Sequence, residues 1–556
     1  MDAPAMTTIP SQRNPSMNLT IRILSALAAI LIAFPVCAQT PPDTGQTLQQ
    51  LQTPPELPPP SDGLVIEPPT QMPTAAGGPT TEVSRIEFSG NSVFSPEHLQ
   101  QVVSASLGQS YDLAGLRDIA WQITRYYQQS GYPFARAFLS AQTLSEGIVQ
   151  IQIVEGRYGQ IIAQGEDEFV AVAQRRLATL TAGEVIASAA LERTTLLLDD
   201  LPGLRTAPLI RPGQELGTGD LLVAVEADKR YSGDIDVDNH GNRYTGEYRT
   251  RLGLNINPLV MVGDQLQLRG MITSEALLLG SATYSAPIGA AGLRAQVGYA
   301  YTDYELGKEY AAADSTGKAH ITSAGLSYPL LRSQRSNLTL STIYQHKRLT
   351  DENLSGRTRR TSDSLPVSLL FDHRDNLLRA GITYGSLTWT PGRVQLFKDN
   401  RNDSPEGSFH KITLDVARLQ QITQSLTLSA RISGQKSNSN LDSSEDFGIG
   451  GVYGVRAYPG GEGYGDQGIL AQVELRYRVM QLNPYLFYDL GHVRINKHDD
   501  GSDNHRRIDG TGIGLRADYK NLSSDIAVAW RTRGGEPLSD SKDRDPRLWV
   551  TVGYKF

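Results

Sequence analysis

The spacing of apolar residues changes several times along this chain, and each change marks a different kind of structure. Residues 23–36 form an apolar run of 14 residues, too short to cross a bilayer as a helix, which takes about 20. Residues 39–80 show no apolar period. From residue 82, apolar positions recur at helical spacing between short alternating stretches. Val83, Ile86 and Phe88 predict a strand closed by Gly90 and Asn91. Ser95-Pro96 predicts a helix start, a capping side chain followed by proline in the first turn. Leu113, Leu116, Ala120, Ile123 and Tyr127, spaced 3, 4, 3 and 4, share one face of a second helix that Gly131 ends. Residues 134–139 and 148–154 read as strands. This order of strand, helix, helix, strand, strand makes a small α+β module. A second follows in residues 159–227, with helices over 172–180 and 188–198 and a closing strand over 221–225.

Helices then stop. Short stretches with apolar residues at every second position follow, separated by Gly, Asn, Asp and Ser clusters. Leu266, Leu268, Gly270 and Ile272 make one, and Leu293, Ala295, Val297, Tyr299 and Tyr301 another. Leu338, Leu340, Thr342 and Tyr344 make a third, and Leu548, Val550, Val552, Tyr554 and Phe556 end the chain. A half-buried strand of a soluble sandwich also alternates, but residues 229–556 exceed a normal sandwich. The pattern predicts sixteen strands, an even number as outer-membrane barrels have, enclosing an aqueous lumen.

Composition narrows this further. A net charge of -7 over 556 residues leaves no basic footprint for nucleic acid. One short apolar run excludes a polytopic helical membrane protein, but not a barrel, whose alternation averages out. Tyrosine outnumbers phenylalanine, 24 to 12, as suits rings at membrane interfaces. Arg22 precedes the apolar run and Val36-Cys37-Ala38 ends it, which reads as a secretory signal cleaved after Ala38. Met17 is an alternative start, and lipidation of Cys37 an alternative fate. Cys37 is the single cysteine, so the mature chain has no thiol for disulfides, zinc sites or nucleophilic catalysis, in keeping with an oxidising periplasm. Residues 39–80 hold 11 of the 30 prolines and no Lys, Arg or aromatic residue, and are expected to be extended. Within them, residues 44–52 (TGQTLQQLQ) suit either linker or a short helix stopped by Pro54-Pro55.

No H-E-x-x-H, G-x-S-x-G or phosphate-loop motif is present. Gly461-Glu462-Gly463-Tyr464-Gly465 mimics a dinucleotide loop but lies among strands. His320, His373 and His410 read as wall or loop residues, and Asp372-His373-Arg374-Asp375 as lumen lining or a turn. No catalytic, metal or cofactor site is predicted.

Three stretches carry a family resemblance. Gly454-Val455-Arg456-Ala457-Tyr458 resembles a V-R-G-Y signature, and Phe487-Tyr488-Asp489 an F-x-D signature on a nearby strand. Asp200-Leu201-Pro202-Gly203, Arg211-Pro212-Gly213 and residues 238–246 (DNHGNRYTG) resemble a module–barrel junction. Together with the signal, the two modules and Phe556, they resemble the outer-membrane transporters of two-partner secretion (TpsB). These are of the haemolysin-activator and filamentous-haemagglutinin type, within the BamA-like superfamily. The resemblance implies an all-β transmembrane barrel of 16 antiparallel strands preceded by two small α+β POTRA domains. The implied division is signal 1–38, Pro-rich extension 39–80, POTRA domains 81–157 and 158–228, and barrel 229–556. It implies a Gram-negative outer membrane, POTRA domains in the periplasm, and export of a large β-rich exoprotein (TpsA-like, an adhesin or cytolysin) without nucleotide hydrolysis. Implied partners are that unfolded exoprotein, outer-membrane lipid, and the barrel assembly machinery through the strand ending in Phe556. The rival readings are an outer-membrane assembly factor and a passive porin.

The resemblance also implies a loop–barrel anchor made of Val455, Arg456, Ala457, Tyr458, Phe487 and Asp489. A long loop in a wide lumen loses entropy and needs a fixed point, and an arginine can fork onto a wall carboxylate. Ala457 stands where the signature has Gly; if that position needs positive φ, Ala costs about 1 kcal/mol. The N-terminal island resembles a lumen helix, but at about 14 Å it is short for a plug. In the modules, Tyr126, Tyr127, Tyr132, Phe134 and Leu209 suit either core packing or contact with a client added as a strand.

Overall fold

The computed structural model describes residues 42–51, 54, 56–59, 75–143, 146–397, 405–499 and 504–556. The expected signal segment, with Cys37 and its cleavage site, lies outside them. One short helix comes first, α1 (Thr44–Gln50), capped by Asp43, whose side chain accepts from the Gln46 amide.

The first module contains β1 (Arg85–Ser89), α2 (Pro96–Val102), α3 (Leu113–Gln129), β2 (Arg136–Leu139) and β3 (Ile148–Val154). Its sheet order is β1-β3-β2, with β1–β3 parallel and β2–β3 antiparallel. Ser95 caps α2 as its sequence predicts. The face of α3 that packs on the sheet carries Leu116, Ile119, Ala120, Ile123 and Tyr127, all buried. Leu113 differs from expectation: it lies in the first turn, ahead of the sheet, and stays exposed. The second module repeats the order with β4 (Arg157–Gly165), α4 (Asp167–Leu177), α5 (Ser188–Asp199), β5 (Leu204–Pro212) and β6 (Thr218–Ala227). Its sheet order is β4-β6-β5, again one parallel and one antiparallel pair. Helix α4 starts before the periodicity predicts, because its first turn holds Asp167 and Glu168. These acidic residues suit the positive end of the helix dipole but carry no apolar signal.

The remaining strands close on themselves. They are β7 (Tyr231–Asp238), β8 (Arg249–Ile256), β9 (Gln265–Thr273), β10 (Leu278–Ile288), β11 (Leu293–Glu305) and β12 (Thr316–Arg332). Next come β13 (Ser336–Asn353), β14 (Gly356–Ser364 continued by Val367–Asp375), β15 (Gly381–Leu396), β16 (Gly407–Gln421) and β17 (Leu426–Ser437). The last are β18 (Gln467–Tyr477), β19 (Leu482–Arg494), β20 (His505–Tyr519), β21 (Leu522–Arg533) and β22 (Arg547–Lys555). Both pieces of β14 pair with β13 and β15, so they form one strand broken at Leu365-Pro366, where proline removes a ladder donor. Counted so, the barrel has sixteen antiparallel strands, as the alternation predicts. Leu548, Val552 and Tyr554 on β22 point outward and are exposed, whereas Trp549 points inward and is buried. No described helix is long and apolar enough to cross a membrane.

Candidate functional site

The loop between β17 and β18, residues 438–466, folds into the lumen, and its tip is fixed by one arginine. Arg456 donates from Nε and Nη2 to the two carboxylate oxygens of Asp489 on β19, at 2.8 and 2.7 Å. Its own backbone N–H donates to Asp489 Oδ2 at 3.1 Å, so the loop's main chain is gripped as well. The third guanidinium nitrogen, Nη1, donates to Glu474 Oε1 on β18 at 2.6 Å. The guanidinium carbon lies 3.6 Å from the centre of the Phe487 ring, a close cation–π contact. Strand geometry explains why Phe487 and Asp489 act together: two residues apart, they project from the same face of β19 into the lumen.

Asp489 is fully buried and Arg456 nearly so. A buried charge is tolerated only when paired and hydrogen-bonded, and here the network is balanced. Glu474 also takes bonds from Arg476 and Arg516, and Arg516 in turn pairs with Asp525. Three arginines thus meet three carboxylates.

The neighbours of Arg456 fasten the loop to other walls. Val455 and Ala457 are buried in a cluster with Ile449, Phe487, Ile508 and Trp549. The Trp549 indole N–H on the final strand donates to the Arg456 carbonyl at 2.7 Å. Tyr458 is buried, and its hydroxyl contacts the carbonyl oxygens of Arg533 and Gly535, where one hydrogen can be shared, at 2.8 and 2.9 Å. Close approach of loop to wall depends on glycines in the wall. A Cβ at Gly491 would lie 2.8 Å from the Ile449 side chain, and one at Gly510 2.6 Å from the Ala457 methyl. Ala457 is not among the residues with positive φ, so its methyl carries no backbone penalty and instead packs on Gly510.

All six residues of the expected anchor therefore meet in one place. The sequence reading missed Glu474 and Trp549. A signal for Glu474 existed: Gln472, Glu474 and Arg476 alternate with the outward residues Val473, Leu475 and Tyr477. Trp549 had none, because its partner is a main-chain carbonyl far away in sequence.

A second set of contacts holds α1 inside the lumen. Asp43 pairs with Arg360 on β14 at 2.8 Å, and the Thr44 amide and hydroxyl donate to Asp351 on β13 at 2.8 and 2.6 Å. Arg360 is buried and also meets Asp351 and Asp442, the latter in the inner loop. Glu445 of the same loop pairs with Lys347 and Lys411 on the wall.

Among the module aromatics, Tyr127 is fully buried and its hydroxyl donates to Glu155 at 3.0 Å, so it belongs to the core. Tyr126 and Tyr132 pack edge-on against Phe94. Phe134 packs on the core of the second module. Leu209 is exposed on β5, an edge strand whose Pro208 and Pro212 thin its donors. The β2 edge of the first module is partly covered, since the Thr124 hydroxyl accepts from the Ala137 amide at 2.9 Å.

Comparison with known proteins adds the following. Residues 217–517 match the family described as haemolysin secretion/activation protein ShlB/FhaC/HecB, and residues 81–156 match the POTRA domain of ShlB type. The chain is 28% identical to the heme/hemopexin transporter protein HuxB of Haemophilus influenzae (strain 86-028NP), over 96% of this chain and 98% of that protein. It is 25% identical to the outer membrane transporter CdiB of Dickeya dadantii (strain 3937), over 88% of each. Among solved structures, CdiB from Escherichia coli superposes with a TM-score of 0.74 at 19% identity, covering 98% of this chain and all of that one. CdiB from Acinetobacter baumannii gives 0.64 at 18%, covering 98% of each. These two likenesses concern the fold alone.

Proposed function

The chain belongs to the ShlB/FhaC/HecB family of haemolysin secretion/activation proteins, and from that premise we propose how its parts divide the work of export. It is an outer-membrane β-barrel transporter of two-partner secretion, and its family implies a secreted exoprotein of the TpsA type as partner. In our reading the two modules, over residues 81–157 and 158–228, stand in the periplasm and receive the exoprotein unfolded. The barrel, residues 229–556, conducts it as an extended chain. The inner loop, anchored by Val455, Arg456, Ala457, Tyr458, Phe487 and Asp489, shapes the path. The client is a large β-rich adhesin or cytolysin. Folding outside, where it buries surface and cannot return, supplies a driving term without nucleotide hydrolysis or any catalytic step by this chain. The strand ending in Phe556 addresses the barrel to the assembly machinery, and the exposed apolar band meets lipid.

The observation that carries this reading is the buried Arg456–Asp489–Glu474 network, which with the Trp549 N–H fastens an inner loop to three different wall strands of a barrel that follows two α+β modules. A passive porin has no need of the modules. The test compares culture medium and outer membrane with and without the gene. Loss of one large exoprotein supports the reading. A fall in many barrel proteins would favour the assembly factor, and altered small-solute uptake alone the porin.

A further inference from the structure

We propose that Arg374, at the periplasmic mouth of the lumen, is a main-chain clamp that holds the Pro-rich extension at rest and the extended client during export. The inference rests on the reading of this barrel as an export pore.

Helix α1 is pinned near the far end of β13, beside Asp351, whereas Pro58 and Pro59 lie at the opposite end, beside Arg374. Pro54 lies between, in a lumen cavity shared with Arg431 and Tyr453. The described prolines Pro54, Pro58 and Pro59 therefore lie in the lumen, in that order toward its mouth.

At the mouth, Arg374 Nη2 donates to two successive main-chain carbonyls, Pro58 O at 2.9 Å and Pro59 O at 2.7 Å. Nearby arginines serve carboxylates instead: Arg332 forks onto Asp200 at 2.7 and 2.8 Å, and Arg418 onto Asp375 at 2.9 and 3.0 Å. Among the described residues Arg374 has no carboxylate partner, and its Nε is buried without a hydrogen bond. A cation reserved for carbonyl oxygens reads no side chain. Any extended polypeptide offers the same acceptors, and prolines offer only these, since they have no N–H.

The surroundings fit a doorway. A cavity of about 640 Å³ lies where the second module meets the lumen wall, lined by Pro58, Pro59, Asp200, Ser327, Thr339 and Asp372. The module is fixed there. Arg332–Asp200 ties it to β12, and Arg193 on α5 donates to the Pro329 carbonyl at 2.8 Å. A client passing from this module into the lumen enters the space that Pro58 and Pro59 line, and competes with them for Arg374.

The test uses the full chain in cells, with a photo-crosslinking residue replacing Thr339. The client is the exoprotein whose loss from the medium identifies it. Without client, irradiation should give no high-mass adduct; with client, an adduct containing it. Arg374→Ala should lower both adduct and export about tenfold or more, the loss of charge-assisted contacts to main-chain carbonyls. Arg374→Gln, which keeps a donor, should restore part of each and serves if the alanine variant fails to assemble. Adduct and export unchanged in an assembled variant, with a raised basal conductance, would mean that Arg374 holds only the extension, and would overturn the proposal. Export without any adduct would place the client elsewhere and overturn it too. If the parent exports nothing, the pore reading itself fails instead.

Discussion

Two segments occupy the lumen, and they are secured by opposite means. The inner loop enters through a balanced set of buried charges, three arginines against three carboxylates, with ring faces, a Trp N–H and wall glycines around them. Helix α1 has seven residues, too few to be stable alone. Its first residues meet Arg360 and Asp351 on the wall, and Gln46 and Gln49 meet Tyr464 and Ser444 of the inner loop. Removing one partner from a buried network strands the others, at about 3–5 kcal/mol. Releasing α1 costs far less, because Arg360 keeps Asp351 and Asp442 when Asp43 leaves. Asp489 thus depends on Arg456 for its charge partner, whereas Arg360 stays paired without the helix. The difference lies in how many charges lose partners.

The largest effect should come from Arg456→Ala. It leaves Asp489 and Glu474 buried without their main donor, and export should fall by about tenfold or more. Heat-modifiable migration of the barrel checks that assembly persists. Arg456→Lys should recover little, since a point charge cannot fork onto Asp489 and reach Glu474 together. Equal loss in both variants would fit the comparison; full activity of the lysine variant would break it. Asp43→Ala should act the other way, since Arg360 stays paired with Asp351 and Asp442. Conductance in planar bilayers should rise as α1 leaves, while export stays within about twofold. If export instead collapsed as with Arg456, the helix would be as integral as the loop.

Ala457→Gly sharpens the account of the loop tip. Because Ala457 does not sit at positive φ, glycine should bring no relief, and should lower resistance to thermal unfolding by about 0.5–1 kcal/mol. A gain in stability would contradict the packing of the Ala457 methyl on Gly510.

The smallest effect concerns the first module. Burial alone would raise Glu155, yet the Ser92 hydroxyl and amide, the Val93 amide and the Tyr127 hydroxyl hold its carboxyl below the usual range. A depressed folded value stabilises above the unfolded value, about 4.3, and the benefit is lost as pH falls through the folded value. Protease resistance of the module in the full chain should therefore weaken below about pH 4. Glu155→Gln should flatten that pH dependence and lower resistance at neutral pH.

Much of this molecule was legible in its sequence because local physics wrote it there. Period-two alternation marks strands such as the last one, and the face of α3 shows in the spacing of Leu116, Ala120, Ile123 and Tyr127. Arg456 and Asp489 were visible as a pair because one strand separates them, and the pleat aims Phe487 with Asp489. Polar starts of helices, such as Asp167-Glu168, leave no apolar trace, so the spacing places α4 at 172–180, late at its start and past its end at Leu177.

What only the tertiary structure decided is which distant residues share a buried charge. Arg360 and Asp43 lie 317 residues apart, and Trp549 reaches the Arg456 carbonyl across 93. Ring closure made these neighbours: β22 pairs with β7, bringing the two ends of the barrel together around one lumen. Alternation fixes which side of a strand faces inward, but not which inward side chain it will meet. That depends on strand number, stagger and the path of the inner loop, and these are properties of the closed barrel.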